Sequence, residues 1–207
     1  YATAIFGGFI ADRYLGYQRS ILLGGALMAA GLFMLLSPDL KIFLAGLAVI
    51  VAGNGLFKPN ISTMIGKLYA PGDIRRDSGF TIFYMGINLG SFLATIICAW
   101  LGDEYGWSYG FGAAGVGMFF GLLTFIYGKR YFKGKGETNY PEALNKVTFG
   151  LKTEYWIYIL GTLSTLIIWQ MVQSHSIVQN ALIVSGLLSF IYILYYAITK
   201  LDKIARE

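Results

Sequence analysis

Charge is what this sequence lacks most. Only 13% of its 207 residues are Asp, Glu, Lys or Arg, about half the ~25% of an ordinary soluble domain. None occurs in segments 20–38, 42–57, 78–101, 105–128 or 155–199. A hydrocarbon core asks for ~20 apolar residues per helix, so these gaps read as membrane spans. The chain is an all-α polytopic membrane protein. Cysteine is nearly missing too: Cys98 stands alone, which excludes an intrachain disulfide and a thiolate metal site. His175 is the one histidine and cannot make a metal site by itself. No nucleophile–base pair and no phosphate-binding loop is visible, so neither an enzyme nor a bound cofactor is expected. No signal peptide is expected in this stretch, whose apolar start has no basic n-region and no cleavage site. The first eleven residues are apolar but too short to span, and the sequence reads as an internal fragment of a longer protein.

The net charge of +5 could suggest a nucleic-acid partner, but its placement argues otherwise. Every Lys and Arg except Lys41 and Lys58 falls in alternate connections along the chain. The positive-inside rule makes that side cytoplasmic. The basicity sets topology and meets lipid headgroups; no nucleic acid is expected.

Proline is scarce, at four residues, and three of the four mark connections. In order, residues 1–11 form the cytoplasmic half of one helix and 12–19 a tight turn. A span follows over 21–36, closed outside by Ser37-Pro38-Asp39. The next runs from 40 towards 69. Residues 70–77 make a cytoplasmic loop around Pro71-Gly72, and the fourth span covers 79–101. Its Gly86 and Gly90 have the spacing of a close helix-packing face, repeated by Gly117 and Gly121 on the fifth span, 108–127. Between those two spans, 102–107 is read as an outer loop. The polar stretch 133–154 carries a helix start at Pro141. Leu144, Val147 and Leu151 then follow at helical spacing, predicting a short interfacial helix. Two further spans, 155–172 and 177–198, close the chain with the basic tail 200–207.

The fourth proline is the informative one. Pro59 sits inside the span 40–69, directly after Lys58. A lysine at such depth costs about 2.5–3.5 kcal/mol on insertion scales, so its presence points to function. Proline removes the N–H that would serve the Gly55 carbonyl, and a kink is predicted. Asn54, Lys58 and Ser62 recur every fourth residue, one polar stripe that should face a cavity rather than lipid. On the next span, Asn88 lies opposite the Gly86–Gly90 face with Tyr84 one turn away. An amide supplies both a donor and an acceptor there.

Three motifs carry a resemblance: Gly7-Gly8-x-x-Ala11-Asp12-Arg13-x-x-Gly16, then Phe57-Lys58-Pro59-Asn60, then Phe83-Tyr84-x-x-x-Asn88-x-Gly90-Ser91. Together they resemble the proton-dependent oligopeptide transporter family of the major facilitator superfamily. The resemblance implies the N-terminal helical bundle of such a transporter, from its second helix to its sixth, plus the two-helix hairpin that prokaryotic members insert. It divides the chain into a partial bundle at 1–132, a cytoplasmic linker at 133–154, and hairpin with tail at 155–207. It further implies substrate contacts from Tyr1, Lys58, Tyr84 and Asn88. Gly8, Asp12, Arg13 and Pro59 would then serve conformational change, with Asp12 and Arg13 in a loop that latches and releases neighbouring helix ends.

The function expected is proton-coupled symport of di- and tripeptides across a bacterial cytoplasmic membrane by alternating access. Peptides, protons and membrane lipids would be the partners. Proton and anion occupancy of a lysine in a low-dielectric cavity depend on each other, so the coupling needs no covalent chemistry. Two rivals stand beside it. A carrier of nitrate or another small anion would also use Lys58. A non-transporting membrane scaffold would have no use for the stripe at Pro59.

Overall fold

A computed structural model describes residues 2–138, 141–148, 150–173 and 175–199. The chain divides into two compact units, Tyr1–Trp169 and Gln170–Glu207. Eight helices are present among the described residues: α1 Ala2–Ile10, α2 Tyr17–Met34, α3 Leu40–Leu68, α4 Arg75–Tyr105, α5 Trp107–Gly128, α6 Pro141–Asn145, α7 Thr153–Gln173 and α8 His175–Thr199. Three of the helical stretches, Leu40–Leu68, Arg75–Tyr105 and Trp107–Tyr131, are long and apolar enough to cross a membrane.

The first unit is built on a seam between antiparallel α2 and α3. A Cβ on Gly24 would lie 2.6 Å from the Gly53 carbonyl oxygen, and one on Gly31 would lie 2.7 Å from that of Gly46. Backbone therefore meets backbone, which only the smallest residue allows. α1 reaches α3 in the same way, because a Cβ on Gly7 would fall on the Gly55 carbonyl oxygen. α5 covers α2 further out, with Phe33 over Gly115.

Several connections differ from the sequence expectation. The segment 12–19 is mostly helical: Ala11–Leu15 forms one π-helical turn, and α2 starts at Tyr17. A single residue makes the break, Gly16 at φ 78°, a conformation that suits glycine. The outer loop expected at 102–107 shrinks likewise. α4 continues to Tyr105, and Gly106 at φ 104° turns the chain into α5 alone. The short helix expected through Leu144, Val147 and Leu151 stops at Asn145. Its continuation is a two-stranded antiparallel ribbon pairing Val147 with Lys152 and Thr148 with Leu151. Leu144 is buried while Val147 is exposed, so one residue of the apolar triplet anchors the segment. The glycine pairs find no close partner among the described residues: Cβ atoms on Gly86, Gly90, Gly117 or Gly121 would meet nothing of them within 4 Å. The close contacts use other glycines.

The stretch after α5 is docked. Gln18 is buried; its Nε2 donates to the Lys135 carbonyl at 2.7 Å and its backbone N–H donates to the Gly136 carbonyl at 3.1 Å. The Lys135 ammonium in turn donates to the Leu68 carbonyl at 2.6 Å, capping the end of α3. An ion pair of 3.4 Å between Arg19 and Glu154 joins the start of α2 to the start of α7.

Candidate functional site

α3 passes through Pro59 as one continuous helix. The turn after Pro59 is held by its own hydroxyls: Thr63 Oγ1 donates to the Pro59 carbonyl at 3.0 Å, and Ser62 Oγ lies 3.5 Å from that of Lys58. The Gly55 carbonyl, which loses its helical donor to Pro59, is the one that Gly7 of α1 lies against. Weak Cα–H···O contact suits that arrangement. Asn60, 1% exposed, supplies the strong bonds beside it. Its Nδ2 donates to the Leu56 carbonyl at 2.7 Å and to the Gly7 carbonyl at 3.2 Å. Proline, two glycines and one buried amide thus fix α1 to α3 beside Lys58.

Asn54 and Lys58 are both exposed on α3. With Thr3, Ala4 and Gly55 they line a recess of about 180 Å³. The polar stripe therefore exists as a surface and includes a hydroxyl from α1. In lipid such a surface would be costly, so it suits a water-filled cavity.

Other expected site residues are placed less closely. Tyr1 lies outside the described residues. Tyr84 and Asn88 are exposed on α4 and do not line the Lys58 recess. Tyr84 stacks on Phe80 at 6.5 Å between ring centroids. Gly8 has open space where a Cβ would be, and the packed glycine is its neighbour Gly7. Asp12 accepts a 2.6 Å hydrogen bond from the Tyr17 hydroxyl, and Arg13 lies 6.0 Å over the Phe9 ring. Burial, then the bond to Asp12 and its charge, push the Tyr17 hydroxyl up to about 12. Among the described residues no three His, Cys, Asp or Glu side chains gather where they could hold a metal ion.

Sequence reasoning passed over Asn60. It stands in a motif the resemblance quotes, yet it falls on the buried face, where a polar residue carries no periodic signal. The docking of 133–138 on Gln18 was equally hidden, because it joins residues over a hundred positions apart.

Comparison with known proteins gives a consistent result. A family model described as the POT family matches residues 18–201. A peptide transporter of Yersinia enterocolitica, YePEPT, is 50% identical over 128 residues, covering 60% of this chain and 25% of that protein. A di-/tripeptide transporter of Lactococcus lactis subsp. cremoris is 42% identical over 153 residues, covering 72% of this chain and 31% of that protein. A crystal structure of a peptide transporter POT in complex with alafosfalin matches with TM-score 0.68 and 35% identity, over 95% of this chain and 39% of that one. The chain thus spans less than a third of the length of these curated relatives.

Proposed function

The chain belongs to the POT family, and from that premise we propose that it is part of a proton-coupled symporter of di- and tripeptides. It is a multi-pass protein of the bacterial cytoplasmic membrane, with the all-helical N-terminal bundle of a major facilitator superfamily transporter and an inserted two-helix hairpin. In this reading residues 1–132 are the partial bundle, 133–154 the cytoplasmic linker, and 155–207 the hairpin with its tail. Transport proceeds by alternating access around a midplane cavity. Lys58 receives the carboxylate of the peptide, and Asn54 and Thr3 extend the polar wall beside it. Tyr1, Tyr84 and Asn88 contribute further contacts to the peptide. Gly8, Asp12, Arg13 and Pro59 act in the conformational change. Protons and membrane lipids are the other partners.

The observation that carries this reading is the exposed Asn54–Lys58 stripe in the recess of about 180 Å³ on an apolar, membrane-length helix. Full-length protein in proteoliposomes should take up dipeptide under an imposed pH gradient. Lys58→Ala should lower that uptake more than about tenfold, the least that loss of a charge-assisted contact costs. Undiminished uptake by that variant would remove Lys58 from the site. Competition by nitrate but not by dipeptides would transfer the charge of Lys58 to a small-anion carrier instead.

A further inference from the structure

A larger cavity than the Lys58 recess opens at the cytoplasmic end of α3. It has a volume of about 750 Å³ and lies between the end of α3, the start of α4 and the docked segment after α5; Ser62, Lys67, Tyr69, Arg76 and Lys135 are among its lining residues. Three cations therefore border one concavity, and no carboxylate lines it among the described residues. Each is held by protein. Lys67 Nζ sits 5.9 Å over the Tyr17 ring, the Arg76 guanidinium 5.8 Å over the Phe80 ring, and Lys135 Nζ 2.6 Å from the Leu68 carbonyl. Asp73, the acid beside the Pro71 rim, is already engaged: Arg75 meets it through its backbone N–H at 2.9 Å and its guanidinium at 2.8 and 3.0 Å. Arg76 also belongs to the first turn of α4, where the helix dipole favours a negative group.

Ser62 ties this cavity to the site described above. It is the third member of the Asn54–Lys58–Ser62 stripe and lines the cavity itself. One helix thus presents a cation in the Lys58 recess and another about 14 Å further along its axis by helical rise, with a hydroxyl face between.

We propose that this cavity is a second carboxylate station, on the cytoplasmic side of Lys58, which takes the C-terminal carboxylate of the peptide as it leaves. The proposal rests on the peptide-symport reading. A carboxylate leaving Lys58 passes a hydroxyl face and then meets a focused positive potential. That potential lowers the barrier to release from the midplane and biases movement inward. The cations bind a carboxylate through charge and hydrogen bonds.

The test uses the full-length protein in oriented proteoliposomes and measures KM for dialanine separately at the outer and cytoplasmic faces. The double variant Lys67→Gln with Arg76→Gln should raise the ratio of cytoplasmic to outer KM on the order of tenfold. Dialanine amide, which lacks the carboxylate, should show no such rise. An unchanged ratio, or an equal rise for the amide, overturns the station. A rise that disappears in vesicles free of anionic lipid also overturns it, because the cavity would then be serving a lipid headgroup. A wild-type protein that carries no dipeptide brings down the symport reading and the station with it. That outcome is seen before any variant is compared, so the two failures are distinguishable.

Discussion

The α2–α3 seam and the face of α4 carrying Gly86 and Gly90 are made from similar residues and used in opposite ways. In the seam, Gly24 meets Gly53 and Gly31 meets Gly46 so closely that a Cβ would press on a carbonyl oxygen. On α4, Gly86 and Gly90 look out on open space, and Tyr84 and Asn88 of the same helix are exposed too. Small residues therefore have two roles in this chain. Some let two backbones touch; others belong to a surface that the described residues leave uncovered. The seam is the closely packed part on which Lys58 is mounted, since α1 meets the same α3 through Gly7, Gly55 and Asn60. α4 meets its neighbours closely towards both ends, where Gly79 lies against the Tyr69 ring and Gly110 of α5 lies under the Cys98 carbonyl.

The largest effect should come from breaking the seam. Gly53→Val places a branched side chain against the Gly24 carbonyl and the Met28 backbone, neither of which can move cheaply. Overpacking of this kind costs about 1–3 kcal/mol, and the upper end is expected here. Thermal unfolding of the purified protein in detergent would show it as a lowered midpoint; an unchanged midpoint would mean the helices can part without loss. Asn60→Ala should cost less, about 1–2 kcal/mol for a buried amide with two acceptors. It should also loosen α1 from α3, seen as faster hydrogen exchange in α1 while α2 keeps its protection. Gly121→Ala sharpens the other side of the comparison. With nothing within 4 Å of its Cβ, it should gain about 0.5–1 kcal/mol from helix propensity alone. A loss there would show that another part of the protein covers this face.

Much of this architecture was legible because charge is so costly in a membrane. The three helices long and apolar enough to cross a membrane were visible as gaps in charge, and Lys58 as a charge inside an apolar run. Pro59 marked the place where α3 needs outside help with a carbonyl. The seam was harder to read. Its glycines are spaced by seven in both helices, Gly24 to Gly31 and Gly46 to Gly53, which puts two contacts on one face two turns apart. Among 27 glycines, the shorter spacing of Gly86–Gly90 drew attention, yet it faces no described neighbour. Turns were overestimated because polar residues such as Asp103 and Glu104 end a helix as readily as they form a loop. One glycine with positive φ is enough to reverse the chain. Of the residues that line the recess, Lys58 and Asn54 could be found from pattern. The role of Asn60 depends on what α1 brings against it, and sequence spacing says nothing of that.

The smallest effect separates two polar turns on the cytoplasmic side. The Asp73 carboxyl is drawn down to about 2 by its hydrogen bonds to Arg75. Its turn should therefore hold from neutral pH down through pH 4 and loosen only as the carboxyl is protonated towards pH 2. The turn at Asp12 fails at the other end of the scale. Tyr17 is raised from 10 to about 12, first by burial and then by its bond to Asp12. A folded-state pKa above the unfolded one contributes stability that is complete below pH 10 and fades as pH rises through 12. On the proposal that Asp12 acts in the conformational change, the Tyr17 hydroxyl is the local partner its carboxylate gives up to reach a neighbouring helix end. Tyr17→Phe should release Asp12 without disturbing the α2–α3 seam. The difference in phenolate absorbance between wild type and Tyr17→Phe should titrate near pH 12, well above the ordinary tyrosine value. A midpoint near 10 would mean that the Tyr17 hydroxyl is neither buried nor bonded to Asp12 in solution.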